Sequence, residues 1–126
     1  MSISNYMVAI REKIGDALLQ VPTAGVLVYD EDGNLLLVRN AGDGLWGIPG
    51  GLIEPFERPA NAAVREVWEE TGLYVTLTEL LGVFGGPECE TVYSNGDRIS
   101  WVATIFTGLV VGGDLRPDQF DVPPEN

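Results

Sequence analysis

The chain has 126 residues, of which 19 are acidic, seven are basic and none is histidine, giving a net charge of -12. That length favours one domain over 1–126 with a single core. The acidic excess argues against a nucleic-acid polymer or an anionic membrane as partner, because both want a basic face. Without histidine there is no Ser–His or Cys–His nucleophile pair and no histidine-ligated zinc. The single cysteine, Cys89, cannot form an internal disulfide and fits a reducing, cytoplasmic compartment.

Residues 1–20 read as an N-terminal helix. Within ISNYMVAIREKIGDALL (3–19), Met7, Ile10, Ile14 and Leu18 stand at helical spacing, with Gly15 as a weak point and Pro22 as the stop. No basic stretch leads into an apolar core, so no signal peptide is expected. No apolar run approaches the roughly 20 residues that span a membrane. AGVLVYD (24–30), EDGN (31–34) and LLLVRN (35–40) predict strand, turn and strand. AGDGLWGIPGG (41–51) is too rich in glycine and proline for regular structure and reads as a loop. Residues 59–71 predict a helix stopped by Gly72. LYVTLTELLGVFGG (73–86) reads as a strand and PECETVYSNGDR (87–98) as a polar turn carrying the Asn95-Gly96 hairpin signal. ISWVATIFTGLVVGG (99–113) reads as a long strand, and 114–126, with three prolines, as a loose tail. Helix, strands, helix, strands predicts an α+β layered domain.

The helix over 59–71 is chemically unusual. At about 100° per residue, Glu69 and Glu70 fall within about 60° of Glu66, whereas Ala60, Val67 and Thr71 lie roughly 100–140° away, flanked by Ala63 and Val64. Like charges at i,i+3 and i,i+4 weaken a helix by a few tenths of a kcal/mol per pair. Acids in the last turn also oppose the helix dipole. Arg65, one turn before Glu69, can pair with it. A solvated acidic face is the ordinary reading of such a run. A bound cation is the other, and all-oxygen ligation suits Mg²⁺ or Mn²⁺, with Ca²⁺ as a further option. A cation also lets an acidic protein bind a polyphosphate.

Gly51, five residues, Glu57, seven residues, then Arg65-Glu66-Val67-Trp68-Glu69-Glu70-Thr71-Gly72-Leu73 resembles the signature box of the Nudix hydrolases with every fixed position filled. WGIPGG (46–51) resembles the family's lead-in, and the N-terminal helix and YSNGD (93–97) resemble one bacterial branch. The resemblance covers about residues 22–113. It implies a mixed β-sheet sandwiched between helices, and metal-dependent hydrolysis of a nucleoside diphosphate linked to another moiety. By position it implies that Glu66, Glu69 and Glu70 are metal-binding carboxylates, one of them a base for water, with the Gly50 carbonyl as a further ligand. Gly51, Glu57 and Arg65 match residues that support the site.

The sequence departs from the family pattern at Phe56, where glycine is common, and at Arg58, where a capping serine or threonine is common. Pro59 partly compensates by pre-setting φ. Many relatives continue into another strand and a C-terminal helix that often adds an acidic ligand. Here the tail offers Asp114, Asp118, Asp121 and Glu125. A sheet face left uncovered by such a helix suggests a homodimer.

Arg39 is a candidate phosphate contact, and Trp46, Trp68, Trp101, Tyr29 and Phe84 are candidates for stacking on a base. Cys89 reads as incidental. The favoured activity is a pyrophosphohydrolase on a small nucleoside diphosphate derivative. The alternatives are a nucleotide-binding module that does not cleave, which would be expected to have lost box residues, and a purely structural acidic domain without a metal site.

Overall fold

The computed structural model describes residues 4–39 and 44–116. Valine, isoleucine and threonine dominate three long runs, and these run as extended strands, as their β-branched side chains favour. They are β1 (Leu19–Tyr29), β5 (Leu73–Phe84) and β7 (Arg98–Gly113). Short strands β4 (Gly50–Leu52) and β6 (Glu90–Val92) complete a five-stranded sheet in the order β4-β1-β7-β5, with β6 paired to the start of β7. β1 and β7 are parallel and the other pairs antiparallel, so the sheet is mixed. A separate ribbon joins β2 (Val38–Arg39) to β3 (Trp46–Gly47).

Because side chains alternate along a strand, β1 presents two faces. Ala24, Val26 and Val28 face helix α2 (Pro59–Thr71) and pack with Ala62, Ala63, Val67, Leu73 and Val75. Complete burial of Val26, Val28 and Val67 is worth roughly 1.5–3 kcal/mol each. On the other face Val21 joins Leu52, Ile99 and Met7 of helix α1 (Asn5–Ile14) in a smaller cluster.

Helix α2 has the predicted bounds. Proline opens it without a side-chain cap from Arg58. Gly72, at φ 82°, closes it with its N–H on the Trp68 carbonyl at 2.8 Å. A Cβ at Gly72 would also meet the Asp114 carbonyl oxygen at 2.5 Å, so glycine is required twice over.

Several expectations are corrected. The first helix runs over Asn5–Ile14 and does not continue to residue 20; residues 1–3 lie outside the described residues. Gly15 is its C-cap, at φ 65°, with its N–H on the Arg11 carbonyl. Leu18 lies outside the helix and, like Ile14, is exposed. Pro22 does not stop a helix but lies inside β1, where its carbonyl accepts from Ile53 N–H at 3.1 Å. Of 35–40, Val38–Arg39 forms a strand and Leu35 a single bridge to Tyr29, while Asn40 lies outside the described residues. The glycine-rich stretch 41–51 contributes β3 and the start of β4; residues 41–43 lie outside the described residues. The polar turn 87–98 contains β6, hairpinned to β7 through the Asn95-Gly96 turn. Ala60 is exposed and Ala62 takes its place in the core. The start of the tail is tied down, since Arg116 N–H donates to the Thr71 carbonyl at 3.0 Å. Asp118, Asp121 and Glu125 lie outside the described residues.

Candidate active site

The acidic stripe of α2 does not face solvent. Glu66 is 3 % exposed and Glu70 7 %, whereas the side chain of Glu69 is 36 % exposed. The stripe is turned toward β4 and the loop between β4 and α2. Gly50 N–H donates to Glu70 Oε1 at 2.9 Å and so ties the end of the helix to the edge strand. Gly50 also packs backbone to backbone on β1. A Cβ there would lie 2.6 Å from the Ala24 carbonyl oxygen and 2.9 Å from Gly25 Cα, so no other residue fits without displacing main chain.

Arg65 organises the other two glutamates. Its Nε and Nη2 donate to Glu57 Oε2 and Oε1, both at 2.8 Å, a paired fork-to-carboxylate contact. Its Nη1 donates to Glu66 Oε1 at 3.0 Å and to Glu69 Oε2 at 3.2 Å, the i,i+4 pairing expected. Nη2 also reaches the Leu52 carbonyl at 3.0 Å, and Glu57 Oε1 accepts from Glu54 N–H at 3.0 Å. One guanidinium thus holds β4, the loop and the helix together. The Arg65 guanidinium lowers the Glu57 carboxyl below its usual range, and its carboxylate partners push the Arg65 guanidinium further up.

The charge is not balanced. Among the described residues Glu57, Glu66 and Glu69 share the Arg65 guanidinium, and Glu70 accepts from Gly50 N–H. Burial raises Glu66 against the pull of Arg65, and burial raises Glu70 to about 7 against the Gly50 hydrogen bond. Glu66 Oε2 is buried with no hydrogen-bond partner. An orphaned buried carboxylate oxygen is costly and asks for a donor or a cation. Among the described residues no three acidic side chains converge as a ready metal cage, because Glu66 and Glu69 turn to Arg65 and Glu70 turns to Gly50. The donor set itself, buried carboxylate oxygens with one left unpaired, fits a hard divalent cation.

Gly50 and Gly51 also line a cleft of about 290 Å³ on the sheet face opposite α2. Ile48, Pro49, Ile99, Trp101 and Ile105 make it largely apolar, with Tyr93 and Thr91 on the β6–β7 side. Of the aromatic candidates only Trp101 lines it. Trp68 stacks on Tyr74, with centroids 6.3 Å apart, and Arg116 Cζ lies over its ring at 5.5 Å from the centroid. Arg39 and Trp46 pair with each other across the β2–β3 ribbon, at 5.9 Å, and neither lines the cleft. Tyr29 and Phe84 do not line it either. Tyr93 was missed by sequence reasoning. Its signals were its place two residues before Asn95-Gly96, on a predicted turn, and its place at the head of the YSNGD stretch.

A family model for the NUDIX domain matches residues 19–125. The chain is 47 % identical over 79 residues to a MutT-like protein of Streptomyces ambofaciens, covering 63 % of this chain and 51 % of that protein. It is 33 % identical over 92 residues to an ADP-ribose pyrophosphatase of Methanocaldococcus jannaschii, covering 71 % of this chain and 51 % of that protein. The chain therefore spans about half the length of these curated relatives. The crystal structure of the MutT protein from Methanosarcina mazei Go1 superposes with a TM-score of 0.63 at 25 % identity, covering 83 % of this chain and 74 % of that one.

Proposed function

The chain belongs to the NUDIX family, and from that premise we propose that it hydrolyses the pyrophosphate linkage of a nucleoside diphosphate joined to a further group, using Mg²⁺ or Mn²⁺. The observation that carries this reading is the double duty of Gly50. Its N–H holds the buried Glu70, and its backbone lines the apolar cleft, so an acidic cluster and a ring-sized cleft meet at one residue.

Glu66, Glu69, Glu70 and the Gly50 carbonyl are the groups that would hold the cation. When bound, such a cation neutralises pyrophosphate charge and makes a water more acidic. The chain's own residues do the rest. Arg65 and Glu57 fix the loop before α2 against β4, which keeps Gly50 and the glutamates in register. Burial raises the carboxyls of Glu66 and Glu70, so either is a group that could take a proton from water, and a bound cation would lower both. The apolar cleft suits a nucleobase, a flat group with little charge. The relative that is an ADP-ribose pyrophosphatase supports a linkage of this class. The net charge of -12 supports a small-molecule partner reached through a cation, and the lone buried Cys89 supports a reducing, cytoplasmic location.

The test is turnover of a panel of nucleoside diphosphate derivatives with Mg²⁺, products being identified by mass spectrometry. The expected products are a nucleoside monophosphate and the phosphorylated second group. Glu66→Gln and Glu69→Gln, made separately, should lower turnover by roughly 10²–10⁴-fold with the fold intact. No metal-dependent cleavage of any panel member, or wild-type rates in both variants, would overturn the proposal.

A further inference from the structure

Helix α1 has ten residues and buries one side chain, Met7. A helix that short is marginal alone, and one methionine is a small anchor. Its main attachment is polar. Arg11 Nη1 donates to the Gly15 carbonyl at 3.1 Å and the Ala17 carbonyl at 2.6 Å, which are the C-cap of α1 and the link into β1. Nη2 donates to the Arg98 carbonyl at 2.8 Å, at the first residue of β7, and Nε lies 3.7 Å from Asp97 Oδ2. The Arg11 side chain is 13 % exposed, lying along the surface with its guanidinium hydrogen-bonded at the rim.

Asp97 closes the turn that carries Tyr93. Tyr93 N–H donates to the Asp97 carbonyl at 2.9 Å, and Gly96 N–H donates to the Tyr93 carbonyl at 2.9 Å. Tyr93 packs with Trp101 against the cluster of Met7, Val21, Leu52 and Ile99, and both aromatic residues line the cleft. The chain of contacts thus runs from Arg11, through Asp97 and the Arg98 carbonyl, to the aromatic wall of the cleft.

We infer that Arg11 is a positioning residue for substrate recognition: it clamps α1 and the 93–97 turn to β7 and thereby sets Tyr93 and Trp101 as the wall on which a flat ring is held. The inference rests on the proposed function, because it needs the cleft to receive part of the substrate. Lysine cannot substitute. A single ammonium lacks the planar fork that reaches three carbonyls and a carboxylate together. The clamp lies on the side of the cleft away from α2, so it governs the ring end of the ligand and not the pyrophosphate end.

The test is calorimetric binding in Mg²⁺ with three probes: AMP, ribose 5-phosphate and inorganic pyrophosphate. Wild-type protein should bind AMP at least roughly tenfold tighter than ribose 5-phosphate, the usual scale of one aromatic–base contact. Tyr93→Ala and Arg11→Met should each remove most of that difference, and Arg11→Lys should not restore it. Affinity for pyrophosphate should stay within about twofold in all three, since loss of one clamp leaves the carboxylate end untouched. Should Arg11→Met fail to fold, Arg11→Lys and Asp97→Asn carry the same comparison. Equal AMP and ribose 5-phosphate affinities in wild type, or a wild-type ratio in the folded Arg11 and Asp97 variants, would overturn the inference. Absence of any Mg²⁺-dependent pyrophosphate binding would instead overturn the proposed function.

Discussion

Glu70→Gln isolates what burial of a carboxylate costs this fold. In the metal-free protein Glu70 is 7 % exposed, and desolvation raises its carboxyl from the ordinary 4.5 to about 7, despite the Gly50 N–H that favours its charged form. A carboxyl raised in the folded state favours the protonated fold. Its contribution is full below the unfolded value near 4.5 and is lost as pH climbs through about 7. Between about pH 5 and pH 8 the integrated loss is about 2–3 kcal/mol. For a domain of this size that is roughly 10 °C in melting temperature. Glutamine keeps the shape and the oxygen that accepts from Gly50 N–H, but cannot ionise. The assay is thermal unfolding of both proteins in chelator at about pH 5 and pH 8. The wild type should lose roughly 10 °C more than Glu70→Gln across that interval. Parallel pH profiles would refute the claim that Glu70 is desolvated and uncompensated.

Millimolar Mg²⁺ or Mn²⁺ should raise the melting temperature of the wild type, following RT ln(1 + [L]/Kd), and the gain should vanish in the Glu66/Glu69/Glu70 triple glutamine variant; an equal gain there would place the ion elsewhere. Phe56 is fully exposed at φ 68°, so Phe56→Gly should stabilise by about 0.5–1 kcal/mol in denaturant titration; destabilisation would mean the ring makes a contact that its exposure denies. The outer edge of β5 exposes Leu80, Leu81, Val83 and Phe84, and light scattering at micromolar protein should return the mass of a homodimer; a monomer mass refutes it.

The box helix was legible to the residue because its signals are local. Pro59, the apolar spacing of Ala63 and Val67, and Gly72 each act within a turn or two. The 15–22 stretch was misread because tertiary pairing decides it. Leu19 and Gln20 have no strong preference of their own, and they join β1 because Ile99 and Ser100 lie alongside. β4 was hidden for the same reason: Gly50 and Gly51 become a strand through pairing with Gly25 and Ala24, some 25 residues earlier in the chain. The site shows the same division. Glu57, Arg65, Glu66, Glu69 and Glu70 could be grouped from spacing; the structure brings Glu57, Glu66 and Glu69 together around one guanidinium and ties Glu70 to Gly50 N–H. That Glu66 and Glu70 point inward was not legible, since a helical wheel gives angles and not which neighbour covers which angle. Tyr93 and Arg11 were invisible as a pair, because what joins them is a turn closing on a helix 87 residues away from Arg98.

The placement of the glutamates bears on why the chain tolerates them. A solvated acidic face would cost a few tenths of a kcal/mol and need no explanation. Burying Glu66 and Glu70 costs more, and Arg65 offsets part of that cost on Glu66 Oε1 alone. The β4 backbone supplies one N–H, from Gly50, to Glu70. On the proposed function, the unpaired Glu66 Oε2 among these carboxylates is where a cationic occupant would bring the missing positive charge. The apolar cleft on the far side of the same glycines then gives that occupant's anionic ligand somewhere to place its uncharged end.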